Sequence, residues 1–113
     1  MEAQEVFNTV VTHLRSQGRK STDHEGCLYR GPNGTSCAVG CLITDEEYSP
    51  RMERTNVQAL LARDETPVSL KDRLLPHMDL LINLQSVHDD YTAEQWEKRL
   101  EIVAQQKSLI WLP

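Results

Sequence analysis

Val6, Phe7, Val10, Val11 and Leu14 recur at i, i+1, i+4, i+5 and i+8, which places them on one face of a helix over residues 3–17. Gly18 stands directly after and is suited to end that helix. The following stretch, 18–26, is polar throughout and reads as a loop. Residues 27–30 and 34–37 then read as two short strands around Gly31-Pro32-Asn33-Gly34, where Pro32 presets φ and Asn33 and Gly34 tolerate the left-handed region of a hairpin turn. A hairpin this short needs helices beneath it. Beyond it, Ser36 is placed to cap a helical turn carrying Ala38, Cys41 and Leu42 on one face. Gly40 lowers helix propensity there, and a glycine at such a position implies close approach of another backbone or a ligand.

Helical period returns downstream. Thr44-Asp45-Glu46-Glu47 has the capping-box pattern for a brief turn that ends near Tyr48 and is broken by Ser49-Pro50. Asn56 caps a short helix over 57–63 with Val57, Leu60 and Leu61 inward, and 64–67 is a loop. The longest apolar segment is 69–89, with Leu70, Leu74, Leu75, Met78, Leu81, Ile82, Leu84 and Val87 covering more than one face. That breadth predicts a central helix, kinked or split at Pro76. Thr92 and Gln95 form another capping box, opening a last helix with Trp96, Leu100, Val103 and Ala104 inward. Trp96, Leu81 and Leu84 are expected to meet across the short 89–91 link. The predicted fold is α+β: one mostly helical domain over 1–113, with one short β-hairpin packed on helices.

Composition narrows the function classes. The net charge of −5 argues against generic nucleic-acid binding, which needs clustered Lys and Arg. The one basic group, Arg15, Arg19 and Lys20, reads as favourable charge at a helix C-terminus. No run is long enough for a membrane span, and the acidic N-terminus predicts no signal peptide. Three cysteines, an odd count, point to reduced thiols in a cytoplasm.

Three constellations could carry chemistry. His24-x2-Cys27-x9-Cys37-x3-Cys41 offers four zinc-type ligands, but Cys41 lies in an apolar context, so buried structural thiols are preferred and no metal or cofactor is expected. Cys37, after a turn, could act as a nucleophile with His88 as base and Asp89 or Asp90 as orienter; the phase of His88 with Leu81 and Leu84 favours a core-edge histidine instead. The third is a binding surface formed by Tyr29, Arg30, Asn33, Gly34, Thr35 and Ser36, with His88. An aromatic face, a guanidinium, hydroxyls and turn amides there suit a base or a phosphate. The bland counterpart is that Tyr29 packs and Arg30 pairs with an acid.

The segment Cys27-x-Tyr29-Arg30-Gly31-Pro32-x-Gly34-x2-Cys37-Ala38-x-Gly40-x-Leu42-Ile43-x-Asp45-x2-Tyr48, with Leu84-Gln85-x2-His88-Asp89 and Trp96-x3-Leu100-x3-Ala104, resembles small phage and prophage proteins. Cys41 departs from the small apolar residue of that pattern. The resemblance implies a viral accessory protein acting in the cytoplasm of an infected bacterium. It would be directed at host or defence components, either sequestering a small nucleotide-type signal or blocking a host protein. The apolar tail Leu109-Ile110-Trp111-Leu112 must either fold back or bury in a second subunit, and a homo-oligomer, most simply a dimer, is expected.

Overall fold

The computed structural model describes residues 1–113. Helix α1 (Ala3–Gln17) opens with a Glu2–Glu5 capping box and buries Val6, Phe7, Val10, Val11 and Leu14, the stripe expected from its period. Strands β1 (Thr22–Asp23) and β2 (Gly26–Cys27) form a two-stranded antiparallel sheet. Four α-helices follow: α2 (Val57–Ala62), α3 (Val68–Leu74), α4 (Met78–Asp90) and α5 (Trp96–Gln106). The architecture is α+β and mostly helical, with α4 packed on α1, α2 and α5.

The hairpin lies earlier in the chain than its residues suggested. Thr22 pairs with Cys27 and Asp23 with Gly26, inside the stretch that reads as a loop. Asp23 Oδ1 closes the tip by accepting the N–H groups of Glu25 (2.8 Å) and Gly26 (3.1 Å). The expected arms at 27–30 and 34–37 meet through one isolated bridge, Arg30 to Ser36. Between them Pro32–Gly34 is a short 3-10 turn, with Asn33 at φ 61°. The reason is competition for donors. Leu28 N–H goes to Ser21 O (2.8 Å), while Tyr29 N–H (2.8 Å) and Arg30 N–H (3.1 Å) go to the two oxygens of Glu53. Gln17 Oε1 takes Ser36 N–H at 2.8 Å. Too few backbone groups remain to extend a ladder.

Local signals elsewhere hold. Asn56 Oδ1 accepts from Ala59 N–H at 2.8 Å, and Thr92 and Gln95 complete a reciprocal capping box. Thr44 and Glu47 bond each other's backbone N–H groups. Ser36 caps nothing with its side chain; the turn beyond it is a 3-10 turn, Gly40–Leu42. Pro76 splits the long segment: α3 stops at Leu74, Leu75–His77 is a 3-10 turn, and α4 begins at Met78. Leu75, one of the apolar positions of that segment, keeps helical φ/ψ but lies about 100° round from the buried Leu74 and is 46% exposed. Leu81, Leu84, Trp96 and Leu100 are buried together in the main core.

The C-terminal tail lies along α1 of its own chain. Trp111 meets Phe7 edge-on at 6.3 Å and sits under the Arg15 guanidinium at 5.0 Å. The Gln4 amide bonds both Ile110 N–H (2.8 Å) and Ile110 O (3.0 Å), as a neighbouring strand would. Ile110 and Leu112 remain 66% and 64% exposed.

Candidate functional site

The chemistry-bearing residues converge beside the hairpin. One wall of a pocket of about 210 Å³ is a single face of α4, carrying Ile82, Gln85, Ser86 and Asp89 at i, i+3, i+4 and i+7. The facing wall is the segment Arg54–Gln58 entering α2, and Cys27, Leu28, Tyr29 and Cys37 complete the lining. Tyr29 is buried, and its hydroxyl donates to Thr55 O, which ties the two non-helical walls together. Arg54 adopts φ 62°, a left-handed conformation that a non-glycine residue keeps only when its surroundings hold it. Here its guanidinium bonds Asp23 Oδ2 at 2.7 Å, linking the pocket wall to the hairpin tip.

Asp89 is the hub. His88 Nδ1 (2.7 Å) and Gln85 Nε2 (2.8 Å) both bond its Oδ1, and the Cys27 thiol is a further donor. Burial alone would push this carboxyl up, but the hydrogen bonds from His88, Cys27 and Gln85 together outweigh it and hold it below the usual range. Gln85 Oε1 in turn accepts Val39 N–H at 3.0 Å, so the amide is fixed at both ends.

His88 is fully buried, as its phase with Leu81 and Leu84 suggested, and it stacks on Trp96 at 5.6 Å. Its Nε2 accepts Ser21 N–H at 3.0 Å. A backbone N–H can only donate, so the ring hydrogen sits on Nδ1 and points at Asp89. This tautomer decides two questions. Nε2 has no lone pair left to take a proton from a nucleophile. And although Cys27, His88 and Asp89 bring their ligand atoms within 4.8 Å of one another, a metal on Nδ1 would require either a hydrogen on Nε2, facing the Ser21 N–H, or an imidazolate. The residues do not fit a metal.

The thiols do not fit a nucleophile either. Burial, reinforced by the Asp89 charge, pushes the Cys27 thiol up to about 12. Burial is the main cause for Cys37 and Cys41 as well, each pushed up to about 12, and Cys37 is only 1% exposed. Their sulfurs are engaged locally: Cys37 Sγ accepts Gly40 N–H at 3.3 Å, and Cys41 Sγ donates to Ala38 O at 3.1 Å. At neutral pH all three are thiols, which attack poorly. The fourth ligand of the zinc-type pattern, His24, is an exposed side chain next to Glu25. The protein is therefore expected to carry no zinc. Chelation with EDTA should leave the thermal midpoint within about 1 °C, where loss of a structural zinc would unfold the chain; elemental analysis at one zinc per chain would contradict this.

The sequence-derived binding residues divide between places. Tyr29 lines the pocket described above. Arg30, Gly34, Thr35 and Ser36 border a second, open concavity of about 550 Å³ together with His13 and Asp45. Asn33 is exposed at the tip of its turn, and His88 lies beneath the first pocket and lines neither. In the second concavity most of the polar groups already have partners. Arg30 bonds Ile43 O (2.9 Å) and Asp45 (2.7 Å) and stacks on Tyr48 at 4.7 Å. Thr35 Oγ1 donates to Pro32 O at 2.8 Å, and Ser36 O accepts from His13 at 2.8 Å and Gln17 at 2.9 Å. An anion would have to displace Asp45 to reach Arg30. Gln58 and Ser86 escape a reading of the sequence, and Gln85 enters it only through the resemblance. The only further signal for Gln85 and Ser86 is their helical spacing to Asp89, on a helix that also carries polar Asp79, Asn83, His88 and Asp90.

Comparison with protein-family models, curated proteins and solved structures finds no match to this chain.

Proposed function

We propose that this is a non-enzymatic binding protein, and that its ligand seat is the pocket between α4 and the Arg54–Gln58 segment. The observation that carries the reading is the Asp89 hub. An ionised, half-buried carboxylate, held by three neighbours and open to a pocket lined by both apolar and polar side chains, is a recognition device rather than a reacting group. The pocket is smaller than the roughly 300–1,000 Å³ typical of sites for drug-sized ligands. It therefore suits one ring system, with the rest of the ligand outside. A small nucleotide-type signal, its base inside and its phosphate outside, meets that description. Together with the resemblance to phage proteins, this supports an accessory factor that sequesters such a signal in the cytoplasm of an infected bacterium.

Equilibrium dialysis against mononucleotides, cyclic mononucleotides and cyclic dinucleotides tests the reading. At least one is expected to bind at micromolar concentration or better. Gln58→Trp, a change at an exposed residue on the pocket rim, should abolish binding while leaving the melt unchanged. Phage challenge of strains carrying defined defence systems should show protection of the phage by the wild-type gene, equally by Cys37→Ser, and not by Gln58→Trp. Protection that survives Gln58→Trp would mean that a host protein is the target.

The exposed Ile110 and Leu112 support a homodimer through the tail. Light scattering should give a dimer for the full chain and a monomer after deletion of residues 109–113; a full chain that is monomeric at high concentration would contradict this.

A further inference from the structure

The pocket has one formal charge inside and one at its outer side. Inside, both strong donors to Asp89 land on Oδ1, and the only other partner is the weak donor Cys27. A carboxylate accepts at about four lone-pair positions, so acceptor capacity remains on a side chain that is 34% exposed and lines the pocket. Outside, the Arg54 side chain is 43% exposed and paired with Asp23, with Glu25 3.8 Å away. An anionic group pushed inward would face the Asp89 carboxylate; the nearest cation, Lys20, is turned to Asp89 O at 3.0 Å and does not line the pocket. The inner end of a ligand must therefore bring hydrogens. The walls nearby, Leu28, Tyr29, Val57 and Ile82, are apolar and suit the faces of a ring.

We infer that the pocket selects ligands whose inserted ring carries an exocyclic amino group, with that N–H donating to Asp89 and any phosphate left outside the pocket. The inference rests on the reading of this pocket as the ligand seat. An amino-bearing nucleobase fits it; a base with only a carbonyl at that position would put oxygen against carboxylate, leaving both acceptors unpaired.

Calorimetric titration of the wild-type protein with matched nucleosides tests this without any variant. The pairs are adenosine against inosine, guanosine against inosine, and cytidine against uridine. In at least one pair the amino-bearing member should bind about tenfold tighter or more, the effect of a hydrogen bond to a charged acceptor. Asp89→Asn should weaken that member about tenfold and leave its partner unchanged. Equal affinities within every pair, or a preference that survives Asp89→Asn, would overturn the inference. If nucleosides bind equally but lose binding in Gln58→Trp, the amino inference alone falls. If none binds, the ligand seat falls with it.

Discussion

Gly40→Ala is expected to destabilise the fold by about 5 kcal/mol or more, enough to unfold most domains of this size. A Cβ at position 40 would lie 2.0 Å from Tyr29 O, 2.8 Å from Tyr29 C and 2.9 Å from Tyr29 Cα. These are backbone atoms, so no rotamer change relieves the clash. The Tyr29 segment cannot drift away cheaply, because Glu53 holds the N–H groups of Tyr29 and Arg30, and the Tyr29 hydroxyl is anchored on Thr55 O. Moving it would break charge-assisted bonds as well as packing. The same contact shapes the site, since Tyr29 lines the pocket and Cys37 Sγ accepts the Gly40 N–H. Circular dichroism melts in guanidinium should show the variant unfolded or nearly so without denaturant. A loss below about 1 kcal/mol would mean that the two strands of chain do not cross at this distance.

The second large effect is expected at Arg73. Glu47 is 7% exposed, and its carboxylate receives the Arg73 guanidinium on both oxygens (2.5 and 3.1 Å) and the Ser69 hydroxyl at 2.6 Å. Arg73 also donates to Leu42 O at 2.8 Å, so this pair joins α3 to the chain that follows the glycine turn. Arg73→Met keeps the stem but leaves a buried carboxylate without its cation, at a cost of about 3–5 kcal/mol. The pair has a pH signature. The Arg73 hydrogen bonds, helped by Ser69, hold Glu47 down to about 2 against its ordinary 4.5. A lowered carboxyl pKa gives stability that is present above the ordinary value and lost as pH falls through the folded one. Wild-type stability should therefore decline between about pH 4.5 and 2 by on the order of 3 kcal/mol from this group. In Arg73→Met that decline should be largely gone. Urea midpoints measured across that range read both effects, and parallel curves for the two proteins would contradict the assignment.

What could be read from sequence was whatever a few adjacent residues decide. The Asn56 cap, the Thr92–Gln95 box, the break at Pro76 and the close approach at Gly40 each follow from the chemistry of one or two side chains against their own backbone. The position of the hairpin did not. It depends on Ser21 O and the Glu53 carboxylate, the latter 24 residues from Tyr29, taking the donors that a ladder over 27–30 would have used. Nor did the breadth of the apolar segment show that Leu75, next to the buried Leu74, would face solvent. The site was half legible. Tyr29 and the His88–Asp89 pair stood out, but the tautomer of His88 is set by a backbone N–H that is 67 residues away. Arg30 stood out as well, yet Asp45, Ile43 O and Tyr48 already satisfy it. Gln58 and Arg54 join the pocket only because α2 packs on α4.

The ligand seat between α4 and the Arg54–Gln58 segment is tested most directly by amide chemical-shift mapping. Isotope-labelled protein would be titrated with the nucleotide that dialysis selects. Shifts are expected to centre on Leu28, Tyr29, Gln58, Ile82, Ser86 and Asp89, and to leave Gly34, Thr35 and Ser36 unmoved. Shifts centred instead on Gly31–Ser36 and Asp45, with Ile82 and Ser86 silent, would place the ligand in the open concavity and contradict the account.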